Sequence, residues 1–160
     1  MAGLTTANVC VGEDRGLTPE VIVRATNLNI RDYEPSRSQF LVLIAFTNDG
    51  STFFNPRKCR AGIVYYSGQY ASQVRASTSM RSDQPGIILP LETRNYSGIL
   101  DLSSVEAGNY RLEAYLEYGV GQSIRKQSAI RVSVINGRRI VRTIQTSDEI
   151  APNDIIEVNW

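Results

Sequence analysis

The chain contains no histidine, so few of its side chains could perform chemistry. Without an imidazole it cannot build a Ser-His-Asp or Cys-His nucleophile, a His-ligated metal site or a histidine pH switch. We therefore expect that the protein is not an enzyme and that it has no catalytic residue.

The best-spaced carboxylates are Glu113 and Glu117, four positions apart in an alternating segment. In a strand they lie on one face, roughly 13 Å apart, which is too far for the acid and nucleophile of a retaining glycosidase. Arg111 and Tyr115 share that parity. We expect a solvated sheet face whose carboxylates pair with bases of the next strand, Arg125 or Arg131.

The two cysteines, Cys10 and Cys59, are too few for a disulfide scaffold or a cysteine-ligated zinc site. They could form one bridge or remain two thiols, and both alternatives stay open. The acidic loops at 48–50, 147–149 and 153–154 lack the spacing of an EF-hand, and aspartate in a tight turn usually serves the turn. We expect neither a metal nor another cofactor.

Three tyrosines, Tyr65, Tyr66 and Tyr70, surround a predicted turn. Exposed aromatic rings bind sugars by stacking, so the group could form a glycan-binding platform. In a strand, however, one of two adjacent residues must point inward. We therefore favour the interpretation that these tyrosines belong to the core or to an interface, and a carbohydrate-binding module is the alternative.

Fifteen of the seventeen basic residues are arginines, and three of them, Arg138, Arg139 and Arg142, follow one predicted turn. Arginine suits planar contacts with carboxylates at interfaces. The cluster could therefore bind an acidic protein partner. It could equally protect an edge strand from aggregation.

Net charge and hydropathy limit the remaining partners. The formal charge of +1 argues against bulk binding of nucleic acid. The longest apolar run, Phe40 to Phe46, is too short to cross a bilayer, so we expect membrane association only through partners. The first ten residues lack the pattern of a signal peptide. The compartment stays open, with an extracytoplasmic location (periplasm, cell surface or virion) favoured.

Apolar residues recur with a period of two along most of the chain, which predicts an all-β protein of about seven to nine strands with almost no helix. The clearest strand alternates from Tyr110 to Tyr118. Asn136-Gly137 predicts a tight hairpin that pairs 129–135 with 138–144. A parity change near Thr26-Asn27 predicts a bulge. Further strands are expected at 87–91 and 96–102, a return strand at 69–74, and a short turn at 102–106.

We expect an N-terminal extension at 1–18, a β-sandwich at 19–145 and a strand-like tail at 146–160. The tail could add a strand to the open edge of a neighbouring molecule, through the anchors Ile155, Val158 and Trp160. It could equally pack on its own sandwich.

The segment 105–112 (VEAGNYRL) resembles the A-G-x-Y-x-L approach to the penultimate strand of immunoglobulin-like and fibronectin-type sandwiches. Asn48-Asp49-Gly50 and the apolar-Pro segment 88–91 are similar to pieces of bacterial envelope modules, such as CARDB-like domains and pilus chaperones. The resemblance covers about 20–134. It implies an antiparallel immunoglobulin-like sandwich whose Tyr110 hydroxyl bonds to the corner backbone.

Two departures limit what the resemblance implies. The single tryptophan is Trp160, so the chain lacks a Cys-Trp-Cys pin, and no basic pair matches the subunit anchor of pilus chaperones. Fold alone does not determine function. We expect a structural or accessory subunit that mediates protein–protein contacts, or self-assembly, within a larger envelope, extracellular or viral assembly.

Overall fold

The computed structural model describes residues 19–66 and 73–144. This part of the chain is all-β, with a single 3-10 turn at Pro35–Arg37 and no α-helix among these residues. Its strands are β1 (Val23–Glu34), β2 (Gln39–Asn48), β3 (Lys58–Tyr65), β4 (Val74–Ser79), β5 (Arg81–Ser82), β6 (Thr93–Asp101), β7 (Gly108–Gly119), β8 (Gln122–Ile135) and β9 (Arg138–Thr143). The predicted all-β class is confirmed.

The strands form two antiparallel sheets that enclose one apolar core. One sheet has the order β1-β2-β6-β5, and the other has the order β4-β3-β7-β8-β9. Alternate residues of both sheets meet between them, including Phe40, Phe46 and Leu100 from one and Ile63 and Leu112 from the other. Because each sheet contributes one apolar face, the fold is β-sandwich-like.

Turn chemistry determines the register of the β8–β9 hairpin. Asn136 and Gly137 have φ angles of 52° and 77°, which is the left-handed region that a two-residue type I′ turn requires. Ile135 pairs with Arg138, and Ile130 pairs with Thr143. The predicted hairpin is therefore confirmed.

The predicted bulge is also present. The pairing of β1 with β2 shifts between Thr26 and Asn29, and Asn27 has a φ of 59°. Asparagine tolerates this conformation better than a branched residue does. The change of apolar parity in the sequence thus marks an extra residue in the strand.

Side-chain hydrogen bonds close the corners of the sandwich. The Tyr110 hydroxyl donates to the Glu106 carbonyl oxygen at 2.7 Å, as the resemblance implies. The buried Asn48 accepts from the Gly50 N–H at 2.9 Å and donates to the carbonyl oxygens of Thr52 and Ile88. These hydrogen bonds satisfy backbone groups beyond the ends of the strands, where no neighbouring strand supplies a partner.

Two predicted strands need correction. Residues 87–91 are not a strand: Ile88 makes one isolated bridge with Phe54, and Leu91 has a φ of 70°. These apolar residues belong to a loop, and the loop places Ile88 in the core. The strand that returns after Tyr66 is Val74–Ser79 rather than 69–74, and 67–72 lie outside the described residues. Residues 103 and 104 form a turn, as predicted.

Candidate interaction surfaces

The β8–β9 hairpin presents apolar and basic side chains together on the outer face of its sheet. Ile135 is 54% exposed and Ile140 is 40% exposed. Arg138 lies opposite Ile135 and is also exposed. These residues line a shallow depression with Asn136. We call Ile135, Arg138 and Ile140 the hairpin patch.

The three predicted arginines of this hairpin do not share one face. Arg138 and Arg142 point outward with Ile140, whereas Arg139 lies on the inner parity with Val141. Arg139 donates from its backbone N–H to Ser38 Oγ and from Nε to the Val105 carbonyl oxygen, both at 2.9 Å. It therefore ties the hairpin to the other layer, and only Arg138 and Arg142 remain on the outer surface.

Ile135 and Ile140 were not among the residues singled out from the sequence. The signal was nevertheless present, because a two-residue turn at Asn136-Gly137 sets the parity of every residue in β9. That parity aligns Ile140 with Arg138 and Arg142 and separates it from Val141.

The tyrosine group does not form a flat exposed array within the described residues. Tyr65 stacks on Tyr110 with ring centroids 5.4 Å apart, and the Arg75 guanidinium lies 5.6 Å from the Tyr65 ring centre. Tyr66 is half-buried. Tyr70 lies outside the described residues. The inward position of one tyrosine of the adjacent pair, expected from strand geometry, is confirmed for Tyr65.

The centre of the outer face of β3, β7 and β8 is buried, which contradicts the expected solvated face. Glu113 is 0% exposed, Arg111 1% and Tyr115 9%. Val64 and Ala129 are also fully buried, yet they belong to this face and not to the core between the sheets. We call Val64, Arg111, Glu113, Tyr115 and Ala129 the outer cluster.

Glu113 is the charged centre of the outer cluster. Gln127 Nε2 donates to it at 2.5 Å, and Arg125 Nη1 lies 3.4 Å from its other oxygen. The expected cross-strand pair with Arg125 is therefore confirmed, although in a buried setting. Arg125 also lies over the Tyr115 ring, 5.1 Å from its centre. Burial lowers the pKa of Arg111, an effect that the charge of Glu113 opposes.

Arg131, the other base expected to pair on this face, instead donates from Nε to Asn109 Oδ1 at 3.0 Å. It lies directly opposite Arg142 in the ladder. Like charges in such a position repel one another. Two arginines are therefore cross-strand neighbours on the outer face near the end of β9.

Cys59 is a free cysteine buried in the core, where desolvation raises its pKa to about 12. Cys10, its suggested bridge partner, lies outside the described residues, as do Ile155, Val158 and Trp160. Among residues 19–66 and 73–144, no group of three or more His, Cys, Asp or Glu residues could hold a metal ion. No helix in this part is long and apolar enough to cross a membrane.

A scan against protein-family models finds no match for this chain, and a search of curated proteins finds none either.

Proposed function

We propose that the protein is a non-catalytic β-sandwich subunit that contacts other proteins within a larger envelope, extracellular or viral assembly. The hairpin patch is the observation that carries this proposal. Ile135 and Ile140 expose apolar surface on a hairpin whose last strand, β9, is an edge of its sheet among the described strands. An edge strand offers backbone hydrogen-bonding groups to a partner, and adjacent apolar side chains add burial energy.

Charge gives the patch a preference for one kind of partner. Arg138 and Arg142 flank Ile140 on the same face, and arginine binds carboxylates with two parallel hydrogen bonds. A partner strand with alternating acidic and apolar residues would satisfy both features. The partner in this proposal is another protein or a second copy of this chain.

We further propose an immunoglobulin-like topology for the sandwich. The support is the Tyr110 hydroxyl, which bonds to the Glu106 carbonyl at the entrance to β7. A tyrosine that bonds back to the corner backbone is typical of that group. The alternative, a carbohydrate-binding module that uses Tyr65, Tyr66 and Tyr70, has less support because Tyr65 is engaged with Tyr110.

Site-specific photocrosslinking in the native source tests the proposed contact. A benzophenone amino acid replaces Ile140 in one variant and Ile99 in a matched control. The two isoleucines are 40% and 41% exposed and lie on different sheets. We expect a discrete protein adduct from position 140 and none from position 99. Absence of an adduct at 140, or equal adducts at both positions, would contradict the proposal.

A further inference from the structure

One end of the sandwich exposes a group of apolar side chains on four adjoining segments. Residues 19–22 precede β1, 49–57 join β2 to β3, 83–92 precede β6, and 117–121 contain the turn from β7 to β8. Six large apolar side chains on these segments are each at least 42% exposed: Ile22, Phe53, Ile87, Leu89, Leu91 and Val120. We call these six residues the loop patch.

The centre of the loop patch is continuous. Phe54 and Ile88 form an antiparallel bridge, which sets Phe53 opposite Leu89 on the neighbouring segment. Phe53 and Val120 line one shallow depression. Single exposed apolar residues are ordinary on a protein surface, whereas a continuous group of them is typical of a binding surface.

The loop patch lies among acids, whereas the hairpin patch lies among arginines. The four segments carry one base, Arg57, and five acids: Glu20, Asp49, Asp83, Glu92 and Glu117. Asp49 and Glu92 have ion-pair partners within the chain, and Glu20 and Asp83 are exposed. Residues 122–144, which form β8 and β9, carry six bases and no acid. The two patches therefore combine apolar surface with opposite charge.

The two patches lie toward opposite ends of β8. Val120 belongs to the turn before that strand, and Ile135 is its last residue. The 14 residues of β8 span roughly 45 Å, so one chain cannot bring its own patches together. Two hairpin patches would oppose arginine to arginine, and two loop patches would oppose acid to acid, whereas one of each pairs unlike charges. Complementarity therefore favours contact between unlike ends of two copies.

We propose that the loop patch of one copy binds the hairpin patch of a second copy. Phe53 and Leu89 cover Ile135 and Ile140, and the nearby acids face Arg138. The proposal rests on the proposed function and names its partner as another copy of this chain. Because the contact joins two different surfaces, every dimer keeps one free patch of each kind, and further copies extend it into a ring or an open filament.

Complementation between two variants tests this arrangement. The loop variant carries Phe53→Ser and Leu89→Ser, and the hairpin variant carries Ile135→Ser and Ile140→Ser. The control, Ile99→Ser, removes a similarly exposed isoleucine from the other sheet. In sedimentation velocity at up to roughly 1 mM, the wild type and the control should self-associate, and each variant alone should stay monomeric. An equimolar mixture of the two variants should form a dimer with one chain of each kind, because one intact contact remains.

Both variants alter exposed side chains, so their circular dichroism spectra should match that of the wild type. Should the hairpin variant not fold, Arg138→Glu, at another exposed position of the same patch, takes its place. A monomeric wild type would overturn the inference. Self-association of either variant alone would also overturn it, since a contact between two identical patches survives in one of them.

The benzophenone at position 140 distinguishes failure of this inference from failure of the proposed function. Its adduct should contain a peptide from 49–57 or 83–92 of a second copy, identified by mass spectrometry of mixed isotope-labelled and unlabelled chains. An adduct with a different protein would support the proposed function and overturn the contact between copies. Absence of any adduct would overturn both.

Salt and lipid vesicles test the role of charge. The affinity between copies should fall at least about fivefold between about 50 and 500 mM sodium chloride, because salt screens the attraction of unlike charges. Unchanged affinity would overturn the pairing of acids with arginines. Flotation of a monomeric wild-type chain with phosphatidylcholine vesicles, lost in the loop variant, would assign the loop patch to a membrane and overturn the inference.

Discussion

Glu113 shows why a charged residue in a strand need not face water. Its carboxylate is fully buried, and it is contacted by Gln127 and by Arg125, while Arg111 lies beside it on the same strand. Burial of an ion is costly unless hydrogen bonds and an opposite charge compensate for lost hydration. The side chains around Glu113 supply both, so the carboxylate links β7 to β8.

The neutral variant Glu113→Gln should therefore destabilise the protein. It keeps the shape and some hydrogen bonds but leaves the buried Arg111 without its neighbouring carboxylate. We expect a loss of roughly 2 kcal/mol in the free energy of unfolding, measured by urea titration. Glu117→Gln is the matched control, because Glu117 lies on the same face of β7 but is only half-buried. Equal losses in both variants would refute a special role for Glu113.

At the scale of elements, the sequence predicted those strands whose pattern has a local physical cause. In β7 the residues from Tyr110 to Tyr118 alternate because one face lies in the core. The β8–β9 hairpin was predicted in register because Asn136-Gly137 adopts positive φ readily. Both features are determined by residues close to one another in the chain, so they can be predicted from a single sequence.

Other features depend on contacts between distant segments and were not predictable in this way. The alternation of Arg111, Glu113 and Tyr115 is typical of a wet face, yet all three are buried. Arg94 was missed for a related reason: this buried arginine donates to the carbonyl oxygens of Gln84, Gly86 and Ile87, and thereby shapes the loop before β6.

The turn between β8 and β9 offers a test at the same scale. Gly137 has a φ of 77°, and a Cβ added there would meet no atom within 4 Å. Gly137→Ala should therefore cost only backbone strain, roughly 1 kcal/mol of unfolding free energy. Gly108→Ala is the control, since its Cβ would make an ordinary 3.6 Å contact with Tyr110. Thermal denaturation measures the loss of stability in both variants. Equal losses would contradict the positive φ of the type I′ turn as the cause of the loss at Gly137.

At the scale of the whole molecule, the sandwich buries one cysteine thiol and two tyrosine hydroxyls, and burial favours their protonated forms in the folded state. Desolvation raises the pKa of Cys59 and of Tyr96 to about 12, and it also raises the pKa of Tyr110. In the unfolded chain the ordinary values are 9.0 for the thiol and 10.0 for the phenols. Between about pH 9 and 12 the unfolded state therefore releases protons that the folded state retains.

Stability should consequently fall with rising pH over that interval, because the folded state binds more protons there. The contribution of these groups is fully present below pH 9, so the decline begins only above it. Tyr96→Phe preserves the edge-to-face contact with Phe46, whose ring centre lies 5.6 Å away, and removes one titrating group. Urea titrations from pH 8 to 11.5 should show a shallower decline for Tyr96→Phe than for Tyr33→Phe, which alters an exposed tyrosine. Parallel declines in the two variants would mean that alkaline unfolding is driven by groups outside this core.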